Sequence, residues 1–249
     1  MDSATGKLRP VRFRGRMTAD DKNQAGQATP ELFRGLSDEE IRSCMRLGQW
    51  QTREQGSFFF REGESPSGLH LLGDGRVKVY QSTASGRQAW LRIVSAGDVF
   101  GLQTLDPAPR PSATAQALEE SRALVWDRST WVRMIETNQR LAINVLGMAV
   151  RQLVELQETY VHLATQHAER RVAWALALLM RKLGQKKEDG SVVLENLSER
   201  ELADLAGTTI YTVSRILRGW ERSNALTKGR GRIVVQEPER LAELAEDLW

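Results

Sequence analysis

One cysteine, Cys44, stands in a chain of 249 residues. A single thiol closes no disulfide within the chain, fills no four-thiolate zinc site and holds no cysteine-ligated iron-sulfur cluster. Long apolar runs are missing as well. Nothing approaches the roughly 18 consecutive apolar residues that span a bilayer, and the opening residues lack the apolar core of a secretory signal. These absences lead us to expect a protein of the reducing cytoplasm that does not engage membrane. No Ser/His/Asp set, phosphate-cradling GxxxxGK loop, HExxH helix or close pair of acids stands in a setting that supports catalysis, which argues against an enzyme.

What is present supports folded domains. Apolar residues make up 41% of the chain, enough for packed cores, and the length suits two ordinary domains or one large one. The formal net charge is +3, unevenly placed. Residues 169 to 235 hold 13 Lys or Arg against 8 Asp or Glu, whereas the last fourteen residues set five acids against Arg240. That asymmetry points to a polyanionic partner for the basic part.

Residues 1–28 are polar, with six basic and three acidic side chains and no sustained apolar period, and read as a flexible tail. A short helical stretch is expected from Leu32, and Ser37 followed three positions later by Glu40 forms a capping box. Between about Gln49 and Asp127 the character changes. Short apolar runs at Phe58–Phe60, Leu69–Leu72, Arg76–Tyr80, Trp90–Val94 and Ala123–Trp126 are separated by Gly turns at Gly63, Gly73–Gly75, Gly86 and Gly97. Strand-length runs with this punctuation predict an antiparallel β-roll or barrel over 29–129. From Thr130 to about Gln166 the period turns helical. Leu141, Val145, Met148, Leu153, Leu156, Tyr160 and Leu163 fall largely on one side of a long helix, which a second copy of the chain would cover. That makes 130–167 a dimerisation helix with a hinge at 165–170, ahead of a C-terminal domain over 168–249.

The strongest signal lies in that last domain. Leu197 to Gly207 reads as a short helix opened by Ser198 with Glu201 closing a capping box, and Gly207 permits the left-handed turn that doubles the chain back. Thr208 or Thr209 caps a second helix from Ile210 to Arg222. Its Val213, Ile216, Leu217 and Trp220 share one face, and Tyr211, Ser214, Arg215 and Arg218 the other. A helix enters the major groove only with a polar outer face and an inner face pinned to a core, and this is that division. Arg215 can donate twice to a guanine edge. Ser214 can bond a base or phosphate, and Tyr211 offers a hydroxyl or an apolar contact to a thymine methyl. Arg200, Thr209 and Arg218 suit phosphates, as do Lys228 and Arg230 in the basic Gly turn of a β-hairpin wing that ends in Ile233-Val234-Val235.

With these parts in this order, the chain resembles the cyclic-AMP receptor protein and fumarate-nitrate regulator (CRP/FNR) family of bacterial transcription regulators over about residues 30–240. The run from Leu202 to Leu217 carries the likeness most specifically. The resemblance implies an α+β fold: a cyclic-nucleotide-binding-like β-roll, a long dimerisation helix and a winged helix-turn-helix. It also implies a homodimer on a near-palindromic stretch of double-stranded DNA, gated by a signal at the β-roll and acting on RNA polymerase. Departures limit the carry-over. Tyr211 stands where the family commonly has a cytosine-reading glutamate, so an altered half-site is expected. Gly101, Leu102, Gln103, Arg110, Ser112 and Ala113 form the candidate effector pocket. There Leu102 cannot accept the ribose bond and Pro111 stands where the phosphate-binding arginine is expected, which argues against cyclic AMP. Too few thiols argue against an iron-sulfur cluster. Haem has only His70, His162 and His167 as conceivable axial ligands, each more simply read as a packed or surface histidine, and Cys44 reads more simply as inert than as a redox switch. The effector stays unassigned. The alternative is a cyclic-nucleotide-binding regulatory module acting on a protein partner, which leaves residues 197–235 without a purpose.

Overall fold

The computed structural model describes residues 29–64, 68–83, 86, 88–106 and 112–246. The expected tail over 1–28 and two residues of the candidate pocket segment, Arg110 and Pro111, lie outside the described residues. One compact unit falls within Met1–Gln81 and Leu91–Leu153, and a second within Ser82–Trp90 and Val154–Trp249.

The first unit opens on a 3-10 turn, Glu31–Phe33, and helix α1, Asp38–Arg46. The Ser37 box forms as its sequence predicts: the hydroxyl accepts from the Glu40 amide, and the Glu40 carboxylate accepts from the Ser37 amide at 2.7 Å. Among the described residues eight strands then follow along the chain: β1 Gln49–Arg53, β2 Phe58–Phe60, β3 Leu69–Asp74, β4 Arg76–Ser82, β5 Gln88–Ser95, β6 Val99–Phe100, β7 Thr114–Ala117 and β8 Ser121–Trp126. They make two antiparallel sheets, ordered β1-β8-β3-β6 and β2-β7-β4-β5. Alternation along the strands divides the interior in two. Leu72, Val77, Phe100, Ala115 and Ala123 fill one apolar cluster with Phe59 and Phe60. Leu69, Leu71, Leu124 and Trp126 belong to a second, with Phe33, Cys44, Trp131 and Leu141 from the helices. The apolar runs of the sequence locate β2, β3, β4, β5 and β8. Strand β1, reading QWQTR, and strand β7, reading TAQA, carry no such run and are held by ladder pairing to β8 and to β2 and β4.

The helical stretch expected from Thr130 to Gln166 as one piece is two helices, α2 Arg128–Thr137 and α3 Gln139–Thr165. Asn138 is extended between them, and its side-chain oxygen accepts from the amides of Arg140 and Leu141 to start α3 afresh. The single stripe read from the sequence also divides. Leu141, Val145 and Met148 are buried in the first unit's own core. The residues left exposed on α3 include Ile143, Leu146, Val150, Leu153, Leu156 and Tyr160.

In the second unit, α4 spans Ala168–Leu183, β9 Gln185–Lys186 and β10 Val192–Glu195. After them come α5 Glu199–Leu205, α6 Ile210–Arg222, β11 Leu226–Gly229, β12 Arg232–Val235 and α7 Pro238–Glu246. The strands form one sheet, β11-β12-β10-β9. Helix α4 is the hub. Its Val172, Leu176 and Leu179 are fully buried, and α5, α6, α7 and β10 all pack on it. No described helix is long and apolar enough to cross a membrane.

Candidate nucleic-acid interface

The helix-turn-helix forms because each end of each helix is specified locally. Ser198 caps α5 with the reciprocal box to Glu201, which removes two orphan amide donors from water competition. The chain turns through Gly207 at φ +59°. Thr209 then caps α6, its hydroxyl accepting from the Thr212 amide at 3.2 Å. Helix α6 has a sharply divided surface. Val213, Ile216, Leu217 and Trp220 are buried, whereas Tyr211, Arg215 and Arg218 are exposed and Ser214 is half-buried. Tyr211 is 89% exposed, an extreme value for a large aromatic, so packing within the chain does not account for its ring.

The remaining residues expected to meet phosphate fall in two groups. Arg200, on the first turn of α5, and Arg230, in the wing turn next to Gly231 at φ +67°, are exposed and make no ion pair among the described residues. Thr209 is exposed, but its hydroxyl is engaged in the cap. Lys228 is committed further: its ammonium lies 3.0 Å from Glu199 Oε1, and its amide donates to Glu221 at 3.2 Å. Those two bonds tie the wing to α5 and to α6, so Lys228 sets the position of the wing against the pair of helices.

Three bracing contacts carried no signal in the sequence. The Trp220 indole N–H, on the inner face of α6, donates to Glu169 at 3.2 Å, fastening α6 to the first turn of α4. Arg171, also on α4, donates to the carbonyl of Leu163 at 3.1 Å and to the carbonyl of Gly207 at 3.3 Å. Leu163 itself presses on the turn: a Cβ placed on Gly207 would lie 2.9 Å from its Cδ2. The last turn of α3, the first turn of α4 and the turn between α5 and α6 thus form one bonded cluster.

In the first unit, the candidate pocket residues sit at the end of β6 and the start of β7. Gly101 adopts φ +89°, and any Cβ there would meet the carbonyl oxygen of Gly68 at 2.6 Å. Leu102 packs against the helix-side core and Gln103 is half-buried. Ser112 is exposed and Ala113 is buried. No carboxylate stands on Gly101–Thr104. His70 is wholly buried within the roll, stacked on Phe100 at 4.7 Å between centroids and edge-on to Phe59. Burial pushes its pKa down to about 4, so it is neutral near pH 7. His162 stacks on Trp174 at 5.3 Å, with its pKa lowered by burial, and His167 is the N-cap position of α4. Burial likewise raises the Cys44 thiol, with Glu40 adding to the effect, which suppresses the thiolate form. Among the described residues no group of three or more His, Cys, Asp or Glu could hold a metal ion.

Comparison with known proteins agrees with this division. A cyclic nucleotide-binding domain model matches residues 50–138, and a Crp-like helix-turn-helix domain model matches residues 170–244. The chain is 30% identical over 214 residues to the cyclic AMP receptor protein of Thermus thermophilus, covering 86% of this chain and 96% of that one. It is 28% identical over 220 residues to the CRP-like cAMP-activated global transcriptional regulator of Mycobacterium tuberculosis, covering 86% and 96%. The fold matches the crystal structure of a CRP/FNR-family transcriptional regulator from Thermus thermophilus, with a TM-score of 0.70 and 24% identity over 80% of this chain and 99% of that one.

Proposed function

The chain belongs to the CRP/FNR family of transcription regulators, and from that premise we propose that it acts as a homodimer reading a near-palindromic DNA site through Tyr211, Ser214 and Arg215. The observation that carries this reading is the divided surface of α6, whose polar face stands free while its apolar face is locked to α4 by packing and by the Trp220–Glu169 bond. Arg200, Arg218 and Arg230 provide phosphate contacts around that face, with Thr209 at its N-terminal end. Two copies place two such helices in successive major grooves about 34 Å apart, which is what a two-fold operator requires. The partner surface for the second copy is the exposed apolar stripe on α3. The protein works by binding double-stranded DNA and influencing RNA polymerase, and a signal at the β-roll gates it.

The relatives named for cyclic AMP suggest a nucleotide as that signal, whereas the residues here favour another ligand: Leu102 offers no acceptor to a ribose hydroxyl. Selection of bound duplexes from a random pool, with and without cyclic AMP, tests both statements. One palindrome enriched regardless of nucleotide supports the regulator with a different sensor. Enrichment that requires cyclic AMP overturns the reading of Leu102, and no enrichment under either condition sinks the DNA assignment. Arg215→Ala is expected to weaken binding by about 1–3 kcal/mol and to relax preference at one base pair of each half-site.

A further inference from the structure

Two large side chains with apolar bodies open helix α6 immediately after its Thr209 cap: Ile210 is 39% exposed and Tyr211 89% exposed. Ile210 stands at the border between the two faces of the helix. Val213, three positions on, is fully buried, and Ser214, four positions on, is half-buried. Packing on the chain's own core therefore uses part of the Ile210 surface and leaves the rest uncovered beside Tyr211. Side chains four apart lie one above the other on a helix, so Ile210 precedes Ser214 by one turn just as Tyr211 precedes Arg215. In a helix-turn-helix the N-terminal residues of the second helix contact base edges. A branched hydrocarbon in that place neither donates nor accepts a hydrogen bond. In the major groove only thymine presents an apolar group, its C5 methyl. The polar edge of any other base would lose water against Ile210 without gaining a partner.

We propose that Ile210 is a specificity residue that selects a thymine by its methyl group, in the same half-site as the guanine read by Arg215. The proposal rests on the DNA-reading assignment of α6 and adds to it a further residue and the base it selects. The separation follows from helix geometry. From Ile210 to Arg215 the helix rises about 7.5 Å, and base pairs are spaced about 3.4 Å apart, so the thymine lies within about two base pairs of that guanine.

The test uses the full chain and the duplex that it enriches from the random pool. Each thymine of a half-site is replaced in turn by uracil, together with its symmetry mate, which removes the methyl and keeps every hydrogen-bonding group of the base pair. At one position the replacement is expected to weaken binding by roughly threefold to fivefold per half-site, the worth of one methyl withdrawn from water. Ile210→Ala is expected to lose that penalty and to bind the thymine and uracil duplexes within about twofold of each other, whereas Ile210→Val retains it. Two duplexes are compared on one protein, so a change in the variant's own stability cancels. If no uracil replacement weakens binding, or if Ile210→Ala shows the same penalty as the unmodified chain, Ile210 does not read thymine and the DNA reading stands. If no duplex is enriched, the DNA reading itself falls and this proposal with it.

Discussion

Replacing Gly207 by alanine tests whether the end of α3 bears on the turn of the helix-turn-helix. The perturbation has two separable parts. Gly207 sits at φ +59°, where an L residue with a Cβ costs roughly 1–2 kcal/mol. The new methyl would also lie 2.9 Å from Cδ2 of Leu163. That atom is the tip of a flexible side chain, so the contact is relieved by an off-rotamer shift worth about 0.5–1.5 kcal/mol. Together the substitution should destabilise by about 1.5–3.5 kcal/mol, read as a lower urea midpoint at unchanged slope. A double-mutant cycle with Leu163→Ala separates the parts. In the Leu163→Ala background the backbone cost persists and the steric part vanishes, giving a coupling energy of about 0.5–1.5 kcal/mol. Equal destabilisation by Gly207→Ala with and without Leu163 would show that α3 does not press on the turn. No destabilisation in either background would show that the turn needs no left-handed residue, and the local reading of the motif would be wrong.

Arg171→Met keeps the aliphatic stem but removes both donors to the Leu163 and Gly207 carbonyls, and should lower stability by about 1–3 kcal/mol in the same assay; an unchanged midpoint would remove Arg171 from the cluster. Gly219 lies inside α6 with open space where a methyl would stand, so Gly219→Ala should raise stability by about 0.5–1 kcal/mol, and a lowered midpoint would refute that reading of the helix surface. His70 is held neutral, with its pKa depressed to about 4 against an unfolded value of about 6.5. The unfolded chain therefore binds the proton first, and stability present in full above about pH 6.5 is lost as pH falls toward 4. The loss between pH 7 and pH 5 should be about 2 kcal/mol, and His70→Gln should abolish that share of the slope; the same slope in both proteins would show that another group titrates.

The helix-turn-helix was legible because its determinants are short-range. Ser198 with Glu201, Gly207 and Thr209 each act within a few residues of themselves, so the bounds of α6 follow from sequence alone. The β-roll was legible where a strand carries a run of large apolar side chains and not elsewhere. Strand β7 consists of small and polar residues because its neighbours on both sides, β2 and β4, supply the bulk, and that dependence is invisible along one strand. Lys228 shows the same limit in the site itself. Its charge in a basic Gly turn suggests phosphate, and only the fold brings Glu199, 29 positions earlier, within 3.0 Å. Glu169 and Arg171 gave no signal at all, since charged residues on the first turn of a helix are usually solvated.

Helix α3 departs from the expected single stripe for an instructive reason. A helix with one apolar stripe buries that stripe, and periodicity then identifies the buried face. This helix has two, because Leu141, Val145 and Met148 complete the core of its own unit while Ile143, Leu146 and Val150 remain uncovered. Counting apolar positions merges the two faces into one broad amphipathic pattern, and the uncovered face is lost among residues that complete the unit's own core. The distinction has a mutational consequence. Polar substitution at Val145 should unfold the first unit, whereas polar substitution at Val150 should leave the fold intact and dissociate the proposed homodimer; sedimentation and circular dichroism of the two variants separate these outcomes.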